Sequence, residues 1–260
     1  MNTFVRKLSI ALLILGVVAG IIGFLAPKYH VVPIVMFHRV ETTEEYKPNS
    51  VDPEIFEFQM NYLARHRYNV IPLDELMEAI DKGKTLKKKS LVITFDDGTE
   101  DNYSVAYPVL KKYNFPATIF MVSTFIDQEG FLTSDQIREM NDSVVNFQSH
   151  TRTHAYLPEI SAEQQKQEIA GSKKDLEKLL GNPVEYFSYP VGGYNEAIIQ
   201  LVKDAGYKGA VTTNRGLTRW NKNMYELKRV RFGERDTNGF TLWAKLSGYY
   251  NLFRKTKNPY

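Results

Sequence analysis

Asp96 and Asp97 stand side by side where the apolar run Leu91-Val92-Ile93-Thr94-Phe95 ends, and Gly98 follows them. Such a run, β-branched and closed by a turn signal, reads as a buried strand. Two adjacent carboxylates at a strand end repel each other, so at least one needs a cation. The segment Ser149-His150-Thr151-Arg152-Thr153-His154 offers a second unusual grouping, two histidines four apart. If it turns helically after a strand, both imidazoles share one face and can grip one ion. With Asp97 they make one carboxylate and two imidazoles, which leaves open positions for water and substrate, as in catalytic metal sites. Asp96, pointing elsewhere, is then free to act as a base on water. Zinc suits such a set, and cobalt, nickel, manganese or iron also enter mixed nitrogen and oxygen sites.

These residues need a scaffold that brings distant strand ends together. Apolar runs recur at Val31–Phe37, Asn69–Pro72, Leu91–Phe95, Ala117–Val122, Val144–Gln148, Val184–Tyr189, Gly209–Thr213 and Leu227–Phe232. Amphipathic segments lie between them. Asp52-Pro53 opens one as cap and first helical residue, with Phe56, Met60 and Leu63 on one face. Ser161 to Leu180 carries the capping pattern Ser161-x-x-Gln164, and Asn195 to Ala205 closes on Gly206. Strand and helix alternating at this density predict a distorted or incomplete (β/α) barrel of seven to eight mainly parallel strands. An open doubly wound sheet would usually carry G-x-G-x-x-G in its first turn, which this chain lacks. His38, Asp96, Asp97, His150 and Tyr189 each fall at the C-terminal end of a predicted strand. In a parallel barrel those ends share one face, where active sites are built.

Composition narrows the function. Hydrophobic content of 43% and charge of 24% are ordinary for a globular chain. A net charge of +3, with no basic helix, gives no footprint for nucleic acid. Lys87-Lys88-Lys89 precedes a strand and reads as a solvated loop. The absence of cysteine excludes thiolate metal sites and disulfides. Residues 1–30 read as an address: Arg6 and Lys7 precede the apolar stretch Leu8 to Ala26, whose length as a helix matches a bilayer. Charge at that end predicts a single-pass anchor with residues 31–260, the catalytic domain, outside the cytoplasm. A cleaved signal peptide, which would release the protein, is the competing reading.

Thr94-Phe95-Asp96-Asp97-Gly98 and His150-Thr151-x-x-His154 resemble, in order and spacing, the first two motifs of the polysaccharide deacetylases, the chitooligosaccharide-deacetylase-like carbohydrate esterases. Phe187-Ser188-Tyr189-Pro190-Val191-Gly192-Gly193-Tyr194-Asn195 resembles the third. The likeness covers roughly residues 31 to 235. It implies a divalent metal on Asp97, His150 and His154, Asp96 as general base, and hydrolysis of N-acetyl groups on a glycan. It also implies the backbone N–H of Val191 as an oxyanion donor, with Tyr189 and Trp220 beside the substrate. The departures are specific. Ser188 stands where the third motif usually begins with arginine, no histidine follows His154, and the fourth motif's aspartates are missing around Arg219 and Trp220. These gaps resemble the branch acting on poly-N-acetylglucosamine, which carries Tyr-Pro-x-Gly and an aromatic-His-Arg after the first strand. Phe37-His38-Arg39 matches the latter. That makes His38 a candidate acid or second-sphere partner, and Arg229 a replacement for the missing guanidinium.

The leading expectation is thus a membrane-attached N-deacetylase of an N-acetylglucosamine polymer or of peptidoglycan. Two rivals remain at this stage, an O-acetyl glycan esterase and a catalytically silent glycan-binding relative.

Overall fold

The computed structural model describes residues 30–214 and 223–253, together with 7, 10, 12–17 and 20. Eight strands form one continuous path of parallel pairs. They are β1 (Ile34–Phe37), β5 (Ser90–Asp97), β6 (Ala117–Met121), β7 (Val145–Ser149), β8 (Tyr186–Ser188), β9 (Gly209–Thr212), β10 (Leu227–Lys228) and β11 (Val230–Arg231). The order around the path is β10-β9-β8-β7-β6-β5-β1-β11. Its two ends are neighbours in the chain. Leu227 pairs with Val211 at one edge and Val230 with Val35 at the other, and only Arg229 separates the two strands. The sheet is therefore a nearly closed parallel barrel, as the alternation of runs predicts.

Alternation along each strand sorts its side chains between two cores. Ile34, Val92, Phe120, Tyr186, Val211 and Leu227 pack together in the lumen. Val35, Phe37, Ile93, Phe95, Ile119, Phe147 and Phe187 pack outward beneath the helices. The lumen parity carried two or four residues further along β5 and along the 227–231 segment arrives at Thr94, Asp96 and Arg229. All three are fully or almost fully buried.

The capping signals act as read. In α1 (Pro53–Arg65) the Asp52 side chain accepts from the Glu54 amide at 2.8 Å, and Phe56, Met60 and Leu63 are buried. In α5 (Ala162–Leu180) Ser161 and Gln164 form a capping box, and Gly181 ends the helix with φ 71°. In α6 (Glu196–Asp204) Asn195 caps the Ile198 amide. Other elements were not anticipated, although Thr133 and Gln136 form a capping box and Asn238 caps the Thr241 amide. These elements are the short strands β2 (Arg39–Val40) and β3 (Ser50–Val51), and helices α2 (Leu73–Asp81), α3 (Tyr107–Tyr113), α4 (Ser134–Asn141) and α7 (Gly239–Leu246). The predicted strand at 69–72 shrinks to β4 (Asn69–Val70), which pairs beside β5 away from the main path.

The apolar stretch Leu8 to Ala26 lies largely outside the described residues. Within it, residues 12–17 are helical, and Leu12, Leu13, Ile14, Leu15 and Val17 are exposed. Among the described residues no helix is long and apolar enough to cross a membrane.

Candidate active site

β5 ends by sending its two aspartates in different directions. Asp96 keeps the lumen parity of Val92 and Thr94 and is fully buried. Asp97 adopts a left-handed φ of 74°, as does Gly98, and this turns its carboxylate back over the strand ends. Position 98 favours glycine. A Cβ there would stand 2.1 Å from the Met121 sulfur on β6, in addition to the positive φ.

β7 delivers His150. The chain then makes an irregular turn and not a helix, with Thr151 at φ 66° and His154 at φ 60°. The imidazoles meet through that turn, with ring centroids 5.0 Å apart and planes 71° apart. The helical face expected from the i, i+4 spacing is thus replaced by a strained loop that reaches the same result. Left-handed non-glycine residues gather here: Asp97, Thr151, His154 and Val191 all belong to the strand-end loops of one cavity. Strain of this kind persists where surrounding structure holds it. Here the brace is α5. Glu168 accepts hydrogen bonds from the amides of Arg152 (2.8 Å) and Thr153 (2.9 Å) and from the Thr153 hydroxyl (2.8 Å). Asp175, one heptad further on the same helix face, accepts from Arg152 Nε at 2.9 Å. Gly171 lies between them, and its lack of a side chain leaves room for the Arg152 stem.

Asp97 Oδ1 lies 3.6 Å from His150 Nε2 and 3.5 Å from His154 Nε2. His150 Nδ1 is 2.8 Å from the Ser188 carbonyl, so this nitrogen carries the proton it donates and Nε2 presents a lone pair. Burial lowers the His150 pKa despite the opposing pull of Asp96 and Asp97, which keeps the ring neutral. Asp97 Oδ1 is buried and has no hydrogen-bond partner. Asp97 Oδ1 thus converges with Nε2 of both histidines. A tetrahedral ion with bonds of about 2.0–2.1 Å sets its ligand atoms roughly 3.3 Å apart, close to the separations seen here. Among the described residues this is the only cluster of three side chains able to hold a metal.

Arg229 fills the space beneath. Its guanidinium reaches Asp96 with Nη1 and Nη2, donates to Thr94 Oγ1 (3.2 Å) and Ser188 Oγ (2.9 Å), and lies over the Phe120 ring. Burial alone would raise the Asp96 pKa, but the guanidinium outweighs it and holds this carboxyl well below the usual range. Ser188, at the position where the resemblance implies arginine, thus belongs to the network that Arg229 completes from the link between β10 and β11.

The remaining predicted residues divide. His38 lines the cavity immediately after β1. Its carbonyl accepts from Asn102 Nδ2 at 2.8 Å, and Asp101 Oδ1 accepts from the Val40 amide at 2.7 Å. The loop after Asp97 thereby holds the His38 segment. Burial pushes the His38 pKa down to about 4, with Asp96 opposing, so the ring is uncharged at neutral pH. Val191 lines the same cavity with φ 56°, and among the described residues no hydrogen bond engages its N–H. Tyr189 must be corrected. Parity places it with Phe187 on the outer face of β8, where it packs fully buried against Phe187 and Tyr194. It is not among the residues lining the cavity. Trp220 lies outside the described residues. Glu168, Asp175, Asn102 and the Ser188 carbonyl escaped sequence reasoning. The one usable signal was the spacing Glu168-x-x-Gly171-x-x-x-Asp175 on a helix that follows the histidine pair.

A family model described as polysaccharide deacetylase matches residues 83–210. YxkH of Bacillus subtilis (strain 168), whose name places it among polysaccharide deacetylases, is 37% identical over 199 residues, 76% of this chain and 70% of that protein. The poly-β-1,6-N-acetyl-D-glucosamine N-deacetylase of Staphylococcus aureus (strain N315) is 29% identical over 203 residues, 73% of this chain and 70% of its own. Among solved structures, the Streptococcus pyogenes deacetylase PplD in complex with acetate superposes with a TM-score of 0.75 at 30% identity. That match covers 79% of this chain and 94% of PplD.

Proposed function

The chain belongs to the polysaccharide deacetylase family, and from that membership and the site we propose that it is a metal-dependent N-deacetylase of an N-acetylglucosamine polysaccharide outside the cytoplasm. The observation that carries this reading is the convergence of Asp97 Oδ1 with Nε2 of His150 and of His154, beside a buried ionised aspartate. The donor set fits a divalent ion, zinc first and cobalt, nickel, manganese or iron after it. The Staphylococcus aureus relative supports the polymer, because its name states that activity.

Amide hydrolysis needs an acidified water, a stabilised oxyanion and a protonated leaving amine. Asp97, His150 and His154 would hold a divalent ion, which when bound would polarise the acetyl carbonyl and lower the pKa of water in the site. Asp96 takes the proton as the water oxygen bonds to the carbonyl carbon. The Arg229 grip fixes the carboxylate's orientation and weakens its hold on that proton. The Val191 N–H is free to donate to the oxyanion. When the C–N bond breaks, the amine departs with a proton from Asp96, and acetate remains. His38, uncharged at neutral pH, serves better as an orienting partner on the cavity wall than as the source of that proton.

We place the barrel on the outer side of a membrane. The apolar stretch Leu8 to Ala26, preceded by Arg6 and Lys7, supports that placement. N-terminal sequencing of the mature protein tests it, and a start near Pro27 with protein in the medium refutes an anchor.

The reaction is tested by acetate release from N-acetylglucosamine oligomers, peptidoglycan fragments and O-acetylated xylan oligomers, with and without chelator. Release from the first two, abolished by chelator and lowered about 10²–10⁴-fold in Asp96→Asn, is expected. Release confined to O-acetyl substrates makes it an esterase. Binding without release makes it a silent relative.

A further inference from the structure

The cavity that holds the aspartates and histidines has a volume of about 980 Å³ and continues to Tyr46 and Arg235. That is near the upper end of the roughly 300–1,000 Å³ usual for ligand sites, more than one acetylated sugar at the reacting centre requires. Tyr46 comes from the segment between β2 and β3, and Arg235 from the turn after β11. The guanidinium carbon of Arg235 lies 4.5 Å above the Tyr46 ring. One face of the ring is thus covered by a cation, yet the residue remains 53% exposed within a concave surface.

This wall is firmly built. Gln59, fully buried on α1, donates to the carbonyls of Gly233 (3.2 Å) and Asp236 (3.3 Å), the two ends of the Arg235 turn. Asp236 Oδ2 closes the turn by accepting from the Gly233 amide at 2.9 Å and from Lys245 Nζ at 2.7 Å. Glu234 is tied to the Asp52 amide at 3.0 Å. Bracing the turn that carries the stacked arginine in this way lowers the ordering cost of binding against it. The chemistry suits a pyranose. Its axial C–H face packs on an aromatic ring, and its hydroxyls accept from a guanidinium.

We propose that Tyr46 and Arg235 form a subsite for a neighbouring sugar ring of the same glycan chain, so that the protein favours oligomers over the single sugar. This rests on the glycan reading above. The test uses the metal-loaded full chain and N-acetylglucosamine oligomers from the monosaccharide to the pentamer. The parent's kcat/KM rises with chain length. Tyr46→Ala flattens that rise about three- to tenfold, through KM, and Tyr46→Trp restores it. Equal kcat/KM at every length in the parent, or an equal loss at every length in Tyr46→Ala, overturns the subsite. Calorimetric affinity for the same oligomers, measured in the Asp96→Asn background, separates this from the reaction. Length-dependent affinity that Tyr46→Ala abolishes, with no acetate released by the parent, retains the subsite and refutes the N-deacetylase. Length-independent affinity refutes the subsite whatever the turnover.

Discussion

Arg229 and Asp96 meet across the barrel through two parallel hydrogen bonds, Nη1 to Oδ1 at 2.7 Å and Nη2 to Oδ2 at 2.5 Å, although 133 residues separate them in the chain. Both side chains are essentially inaccessible to water. The fork geometry fixes the carboxylate in plane as well as in charge, so Asp96 is oriented by a residue from the far end of the fold.

Removing one partner leaves the other charge buried and unpaired. Arg229→Ala should cost about 3–5 kcal/mol of stability, and Arg229→Lys should recover little because an ammonium cannot reproduce the fork. The pH dependence has a definite sign. Asp96 is held below its ordinary 3.8, so its contribution is complete above that value and is lost as pH falls through the folded pKa. Urea unfolding at a series of pH values should show the parent losing stability on the acid side. The stability gap between the parent and Arg229→Ala should narrow there. A constant gap at all pH values argues against the pairing as the source of the effect.

Metal content is the most direct check on the histidine pair. The purified protein should carry about one divalent ion per chain, largely lost in His150→Ala, by elemental analysis. Unchanged content in that variant removes His150 from the ligand set.

Glu168 is hydrogen-bonded to none of the three donor side chains, but it holds the amides of Arg152 and Thr153 between His150 and His154. Glu168→Ala should weaken metal affinity about 10–100-fold in chelator competition, with turnover recovering when metal is in excess. Unaltered affinity would show that the turn keeps its shape without the brace.

His38 is driven toward the neutral form by burial, from 6.5 to about 4. A histidine lowered in the folded state destabilises that state as pH falls below 6.5, levelling off near 4. His38→Gln should remove this part of the acid-side loss. If its catalytic role is orienting, His38→Ala should depress turnover equally on an amide and on an activated ester. A far larger loss on the amide would restore it as the proton donor.

Much of the barrel was readable because its strands are buried on both faces, which leaves continuous apolar runs bounded by polar strand ends. Asp96, Asp97, His150 and His154 stood out as titratable residues at those ends. What escaped was set by backbone and by parity. The residue types at Thr151 and His154 give no sign of positive φ, so the spacing suggested a helix where there is a turn. Tyr189 belongs to a motif by its neighbours, but its side chain follows Phe187 to the outer face. Glu168 is one of many charges on α5 and acquires its role only through the loop that docks on it. Arg229 was accessible to reasoning because the chain lacks an arginine at 188 and the last apolar run, Leu227–Phe232, carries one.

The seam of the barrel has a further consequence for how the molecule comes into being. β1 cannot be flanked on both sides until residues 230–231 arrive, and Asp96 has no counter-charge until residue 229 does. These are contacts of very high sequence separation, the slow and late kind in folding. A chain emerging from its N-terminus thus lacks both barrel closure and the Arg229–Asp96 pairing until nearly all of it has emerged. Closure of the barrel and neutralisation of Asp96 arrive in the same event, so a chain that stops short of residue 229 has neither.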